Sequence, residues 1–91
     1  MLMNLPETSD VTLTVLLFGI ARDIVGQPTL TLALPTADAT VSGLLTALRA
    51  RYPALTALRS LAVAVNSEYA TDLDRLGPAD EVALIPPVAG G

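Results

Sequence analysis

The sequence contains no cysteine, histidine, lysine or tryptophan, and all five of its basic residues are arginines. Without cysteine and histidine it has no thiol nucleophile, imidazole base, disulfide or usual zinc ligand. Without lysine it has no side-chain amine that could form a Schiff base or accept an acyl group. Most side-chain routes to chemistry are therefore closed, and no bound metal is expected.

Charge is also scarce. Charged residues are 15% of the 91-residue chain and the formal net charge is −4, so nothing electrostatic favours a nucleic acid or an anionic membrane as partner. Uncharged stretches are shorter than the roughly 20 apolar residues of a membrane span, and residues 1–10 lack the basic and apolar parts of a secretory signal. We expect one cytoplasmic domain with a flexible lead-in at residues 1–10.

Apolar residues are abundant instead, at 52% of the sequence. A domain of this size buries only roughly 60% of the surface that its unfolded chain exposes. Part of this apolar content should therefore stay on the surface, where a contiguous apolar patch is typical of a partner-binding site.

Alternating apolar and polar residues predict two strands in the first third of the chain, at residues 11–18 and 29–34. A short helical turn at residues 20–25, closed by Gly26, separates them. Two strands joined so closely predict an antiparallel hairpin.

The main helix is predicted to begin after Thr40, a suitable N-cap residue, and to end before Pro53. Gly43 should weaken it by about 1 kcal/mol relative to alanine. Apolar residues recur at spacings i, i+3, i+4 and i+7 and so form one buried stripe, consisting of Val41, Leu44, Leu45 and Leu48.

The last third of the chain predicts three more strands, at residues 61–65, 68–70 and 82–85. Asn66 and Ser67 are the turn residues between the first two of these. In the loop at residues 72–80, Leu73 and Leu76 are expected to point inward.

The element order β-β-α-β-β-β predicts an α+β fold, a mixed sheet of about five strands with one main helix packed on one face. A β-grasp arrangement fits this order best, since it places the last strand beside the first at the sheet centre. The domain is then expected to span residues 11–85.

Six residues follow the last predicted strand: Pro86, Pro87, Val88, Ala89, Gly90 and Gly91. The prolines cannot extend a β-ladder and favour an extended path away from the domain. The glycines have no Cβ, so the end is thin enough to enter a narrow slot. Residues 86–91 are therefore interpreted as a projecting tail that presents one reactive group, the α-carboxylate of Gly91.

A docking surface is predicted on the sheet face away from the helix. Phe18 and Ile85 are expected to point outward there, close together because the first and last strands are expected to be neighbours. Tyr69 extends this patch, and exposed aromatic and apolar residues of this kind are typical interface anchors. The carboxylates near the last strand are interpreted as solvated turn residues, because EF-hand spacing is absent, and the role of Arg22 stays open.

Nearly all of residues 11–91 resembles the MoaD-type ubiquitin-like sulfur carriers, the small subunits of molybdopterin synthase. The resemblance rests on FGIARDIVG at residues 18–26, on the Val65-Asn66 turn, and most specifically on DEVALIPPVAGG at residues 80–91. The chain departs from the family pattern outside the tail, at Gly19, Asp23, Ser67, Pro78 and Ala79.

The resemblance implies that an E1-like adenylyltransferase uses ATP in trans to adenylate the Gly91 carboxylate, which a sulfur donor protein converts to a thiocarboxylate. The tail would then enter the large synthase subunit, within an expected heterotetramer of two small and two large subunits. There it would give sulfur to cyclic pyranopterin monophosphate in molybdenum cofactor biosynthesis. The chain itself is expected to bind no cofactor and to be no enzyme alone, because the large subunit supplies the catalytic side chains.

Three alternatives stay open. One is a sulfur carrier for another pathway, such as thiazole synthesis for thiamine, although the Pro-Pro-Val-Ala sequence before Gly90 argues against it. Another is a ubiquitin-like modifier of protein lysines, whose chemistry begins with the same activated glycine. The last is a β-grasp interaction module with an unreactive terminus.

Overall fold

The computed structural model describes residues 10–58 and 60–86. The predictions for residues 1–9 and for the tail from Pro87 to Gly91 lie outside the described residues. Within the described ranges the chain forms five strands, namely β1 (Asp10–Leu17), β2 (Thr29–Pro35), β3 (Ala62–Val65), β4 (Glu68–Tyr69) and β5 (Val82–Ile85). It also forms two α-helices, α1 (Gly19–Val25) and α2 (Val41–Arg51), with 3-10 turns at Thr36–Asp38 and Pro53–Ala57 on either side of α2.

The strands form one mixed sheet in the order β2-β1-β5-β3-β4. β1 and β2 are the predicted antiparallel hairpin, with Asp10 opposite Pro35 and Leu16 opposite Thr29. β5 lies between β1 and β3, parallel to the first and antiparallel to the second. The prediction that the last strand lies beside the first is confirmed, and the architecture is a β-grasp.

The core lies between α2 and one face of the sheet. Alternation along the strands sends every second side chain to that face, and α2 adds its predicted apolar stripe. The buried residues of β1, β2, β5 and α2 are Leu13, Val15, Leu17, Leu30, Leu32, Leu34, Val41, Leu44, Leu45, Leu48, Val82 and Leu84. The opposite sheet face stays accessible, and Thr12 and Thr14 are exposed on it.

The N-terminus of α2 is fixed by contacts from three directions. Thr40 is the N-cap, as predicted, and its hydroxyl accepts a hydrogen bond of 3.1 Å from the Gly43 N–H. The Val41 N–H donates to the Asp74 carbonyl at 3.0 Å. A Cβ built on Gly43 would lie 1.9 Å from the Asp38 carbonyl oxygen, so only glycine lets the preceding turn approach this closely.

The loop before β5 partly contradicts the sequence prediction. Leu76 is buried as expected, and its N–H donates to the Ala39 carbonyl at 2.8 Å. Leu73 is 85% exposed, so the prediction that it points inward is wrong. The reason is a tight turn, closed by hydrogen bonds of 3.0 Å from the Asp74 N–H to the Thr71 carbonyl and from the Thr71 N–H to the Asp74 carboxylate, which places Leu73 at its tip.

Candidate functional site

The three residues predicted to form a docking surface lie together in one open groove on the sheet face away from α2. Phe18, Tyr69 and Ile85 line this groove, whose volume is about 360 Å³. The rest of the lining is Leu16, Ala64, Ser67, Glu81 and Ala83. We call this surface the docking groove. It is mainly apolar, with the Glu81 carboxylate as its acidic group.

The register between β1 and β5 explains why Phe18 and Ile85 meet. Leu17 lies opposite Leu84 in this parallel pair, and both side chains are buried in the core. The residues that follow them, Phe18 and Ile85, therefore point to the other face, side by side. Phe18 lies just after β1, as the extended residue that precedes α1, and is 49% exposed.

Tyr69 joins the docking groove through the tight turn between β3 and β4. Ala64 of β3 pairs with Tyr69 on one side and with Ala83 of β5 on the other, so Tyr69 lies two strands away from Ala83. Tyr69 is 75% exposed. The structure thus brings the three residues together, while their contact with a partner stays a prediction.

The tail begins at one end of the docking groove. Pro86 directly follows Ile85 and is partly buried. It lies against Gly19, which has a left-handed φ of +54°: a Cβ built on Gly19 would be 3.2 Å from Pro86 Cγ. The proposed reactive residue Gly91 and the tail residues from Pro87 to Gly90 lie outside the described residues.

A hydrogen-bonded clamp holds the start of β5, and sequence reasoning missed it. Asn66 donates through Nδ2 to Asp80 Oδ1 at 3.0 Å and accepts through Oδ1 from the Glu81 N–H at 2.9 Å. The other Asp80 oxygen accepts from the Gly77 N–H at 2.8 Å. The hydrogen bond from Asn66 has the larger effect and the one from Gly77 the smaller, and both lower the pKa of Asp80 below its usual value. Adjacent residues with positive φ, Asn66 and Ser67, make the turn that aims the amide at Asp80.

The other charged residues considered in the sequence analysis lie in turns or on the exposed surface. Asp74 and Asp80 accept backbone hydrogen bonds, as turn carboxylates do. Across residues 10–58 and 60–86 no cluster of three metal-ligating side chains occurs, and no helix has the length and hydropathy needed to cross a membrane. Arg22 is exposed and lines a shallow hollow together with Asp23 and Gln27.

A β-grasp sheet with one main helix, and a Gly-Gly end that follows its last strand, defines the class of ubiquitin-like proteins. The sequence profile of the ThiS family matches residues 15–91, and the chain belongs to this family. The matched range includes β5 and the whole tail.

Relatives and solved structures agree with this assignment. The chain is 43% identical over 86 residues to the molybdopterin synthase sulfur carrier subunit of Arabidopsis thaliana. The aligned region covers 93% of this chain and 88% of that protein. The Haloferax volcanii HVO 2177 protein superposes with a TM-score of 0.78 at 27% identity, over 97% of this chain and 93% of that one. Small archaeal modifier protein 1 of H. volcanii superposes with a TM-score of 0.73 at 29% identity, over 86% and 99% of the two chains.

Proposed function

We propose that this chain is the sulfur carrier subunit of a molybdopterin synthase. The observation that carries the proposal is the relationship to a protein of that name over 93% of the chain. The family match also extends through Gly91, so the terminus that would carry sulfur is part of the shared sequence. The absence of cysteine, histidine and lysine from the chain supports a role in which the backbone terminus, and no side chain, reacts.

The proposed chemistry takes place at the α-carboxylate of Gly91. An E1-like adenylyltransferase joins this carboxylate to the AMP portion of ATP, releasing pyrophosphate and giving the carboxylate carbon a good leaving group. Sulfide from a sulfur donor protein displaces AMP and leaves a thiocarboxylate. Its sulfur bonds to a carbon of cyclic pyranopterin monophosphate, and the carbon–oxygen bond at that carbon breaks as the oxygen substituent leaves. Water then hydrolyses the acyl carbon–sulfur bond, which leaves the sulfur on the pterin and returns Gly91 to a carboxylate. Two such rounds would give the dithiolene of molybdopterin.

The proposed partner is the large synthase subunit, in a complex of two small and two large subunits in the cytoplasm. Two features support its binding at the docking groove. Phe18 and Tyr69 are aromatic side chains left exposed, of the type that anchors interfaces. Ile85, in the same groove, immediately precedes the tail, so a subunit bound there would lie beside the start of the segment that it must accept.

Intact-mass measurement tests the carrier step. The chain is incubated with its E1-like adenylyltransferase, ATP and a sulfur donor, and the expected product has one oxygen replaced by sulfur. Gly91→Ala is expected to give less product, because a Cβ hinders close approach to the nucleotide. Gly77→Ala is the matched control, since a Cβ there would meet its nearest neighbour at an ordinary 3.6 Å. An unchanged mass for the wild-type chain would contradict the proposal and favour an interaction module.

A second candidate function, protein modification, is favoured by the likeness to small archaeal modifier protein 1. A lysine amine of a target would attack the adenylated Gly91, forming an isopeptide bond and releasing AMP. Because this chain has no lysine, one copy could not be extended by a second through a side-chain amine. Blotting of cell lysate distinguishes the two functions: adducts of higher mass that vanish when Gly91 is deleted indicate a modifier, and their absence indicates a carrier alone.

A further inference from the structure

The edge of the sheet that β2 forms is poorly protected against pairing with another strand. β2 pairs with β1 alone among the described strands, and none of its seven residues is charged. The opposite edge, β4, has only two residues, and one of them is Glu68. Short length, charged side chains and prolines are the usual means by which proteins block an edge strand. β2 has only a proline, Pro35, and this is its last residue.

The hydrogen-bond pattern shows which backbone groups of β2 point outward. The Leu17 N–H donates to the Pro28 carbonyl at 2.8 Å, in the register of the β1–β2 hairpin. Hydrogen-bonded pairs alternate along an antiparallel ladder. The residues whose backbone groups face β1 are therefore Leu30, Leu32 and Leu34. The residues whose backbone groups face the open edge are Thr29, Thr31 and Ala33. Within residues 10–58 and 60–86, no further backbone hydrogen bond involves these outward groups.

We propose that this edge binds the same edge of a second copy of the chain, so that two β2 strands pair antiparallel. With Leu32 of each copy at the two-fold axis, the strands overlap over their full length. Thr31 then lies opposite Ala33 of the second copy, and Thr29 lies opposite Pro35. Each outward N–H has a carbonyl acceptor in this register. Pro35, which has no N–H to donate, falls at the ends of the paired region.

The distribution of charge suits a second copy at this edge. The edge itself carries no charge, and the nearest acidic residues, Asp10 and Asp38, both lie at the Pro35 end of β2. Antiparallel pairing places the two Pro35 ends at opposite ends of the paired strands, roughly 20 Å apart at about 3.3 Å per residue. Repulsion over this distance is largely screened, because the Debye length is about 8 Å at physiological salt.

The helix side of the edge has space for the second copy. A hollow of about 430 Å³ lies beside Leu34 and Pro35, between β2 and α2. The α2 residues that line it are small, namely Gly43, Thr46, Ala47 and Ala50. No residue of β2 lines the docking groove, so pairing at this edge leaves the groove of each copy open. The inference therefore does not depend on the proposed function.

Sedimentation equilibrium of the chain tests the association. Between about 50 μM and about 1 mM, the weight-average mass is expected to rise from 9.4 kDa toward twice that value. Thr31→Lys puts a charge on the edge and is expected to raise the dimer Kd at least about tenfold. Thr14→Lys is the matched control, because Thr14 is exposed directly opposite Thr31 but on β1, one strand inside the edge. It is expected to change Kd less than about threefold.

Two results of sedimentation would overturn the inference. One is a wild-type mass of 9.4 kDa at every concentration, which would also be the result if the edge served a strand of a different protein. The other is equal weakening by Thr31→Lys and Thr14→Lys, which would place the contact away from the edge.

Amide hydrogen exchange of the wild-type chain identifies the paired surface without any substitution, and so decides even if Thr31→Lys folds poorly. The outward N–H groups are expected to exchange at least about fivefold more slowly at about 1 mM than at about 50 μM; they belong to Thr29, Thr31 and Ala33. The N–H of Leu32, which is bonded to β1, should exchange slowly at both concentrations. Slowing at Tyr69 or Ile85 instead would mean that the copies meet at the docking groove, and would overturn the inference.

Discussion

Single residues in this protein are constrained mainly by what other parts of the chain place beside them. Sequence pattern alone treats Gly43 as a weak point of the main helix. The structure instead shows the Asp38 carbonyl where a side chain would begin. Helix propensity is a local property, whereas this approach depends on the turn that precedes α2, so the need for glycine could not be predicted from periodicity.

Gly43→Ala is therefore expected to destabilise the fold, although alanine has the higher helix propensity. The added Cβ must displace backbone, and overpacking of this kind costs about 1–3 kcal/mol, against a propensity gain of about 1 kcal/mol. Denaturant unfolding measures the difference. Gly77→Ala, with room for its Cβ, is the control, and a Gly43→Ala protein more stable than wild type would refute this reading.

At the scale of elements, caps and turns decide where helices and strands begin. Thr40 was predicted as the N-cap of α2, and the structure confirms it through the bond from the Gly43 N–H. The clamp of Asn66 and Asp80 was not predicted, because it joins residues fourteen positions apart whose meeting depends on the pairing of β3 with β5.

Thr40→Ala removes the cap and is expected to lower the free energy of unfolding by about 1 kcal/mol. Thr46→Ala is the matched control, because Thr46 is exposed within the same helix. There alanine is expected to be neutral or to stabilise by a few tenths of a kcal/mol, since it has the higher helix propensity. Equal effects of the two substitutions in denaturant unfolding would argue against the capping role.

The clamp predicts a stability that depends on acid pH. Because the folded state lowers the pKa of Asp80, the ionised carboxylate stabilises the fold above the unfolded-state pKa of about 3.9, and this part is lost as pH falls through the lower folded pKa. Denaturant midpoints measured from pH 7 to pH 2 should therefore fall less steeply in Asp80→Asn. Asn66→Ala removes the larger cause of the shift and is expected to act in the same direction. A wild-type pH dependence in both variants would contradict the assignment.

For the whole molecule, the fold and the docking groove follow from two sequence features and one pairing. Alternation in the strands identifies the inward and outward faces, and the element order indicates that β5 lies beside β1, which together place Phe18 next to Ile85. The exposed position of Leu73 was not anticipated, since an apolar residue between two aspartates carries no sign of the turn that holds it outward. Leu16 and Ala83 share the outward face by the same alternation but were not predicted as lining residues, because alternation does not show which outward side chains border a groove.

Charge introduced into the docking groove is expected to weaken binding of the large subunit. Phe18→Glu buries an unpaired charge in the interface and should raise Kd at least about tenfold, or about 1.4 kcal/mol. Ile20→Glu is the matched control, because Phe18 and Ile20 are both 49% exposed and Ile20 is not in the groove lining. Calorimetric titration gives both constants, and equal values would remove Phe18 from the interface.

The opposite charge should have the same effect at Ile85, which lies beside Phe18 in the docking groove. Ile85→Lys is expected to weaken binding similarly, whereas Leu73→Lys, at an exposed apolar residue on the loop before β5, should leave Kd within about twofold. Weakening by both lysines would indicate an interface that extends beyond the groove, and weakening by Leu73→Lys alone would place it elsewhere.

In the proposed function, sulfur leaves this molecule from its C-terminus. The most direct measurement mixes the purified thiocarboxylated chain with the large subunit and cyclic pyranopterin monophosphate, and follows the intact mass of the chain together with the pterin product. We expect sulfur on the chain to be exchanged for oxygen as molybdopterin forms, with two chains discharged for each dithiolene. A chain that keeps its sulfur while the large subunit is bound and the pterin stays unchanged would contradict it.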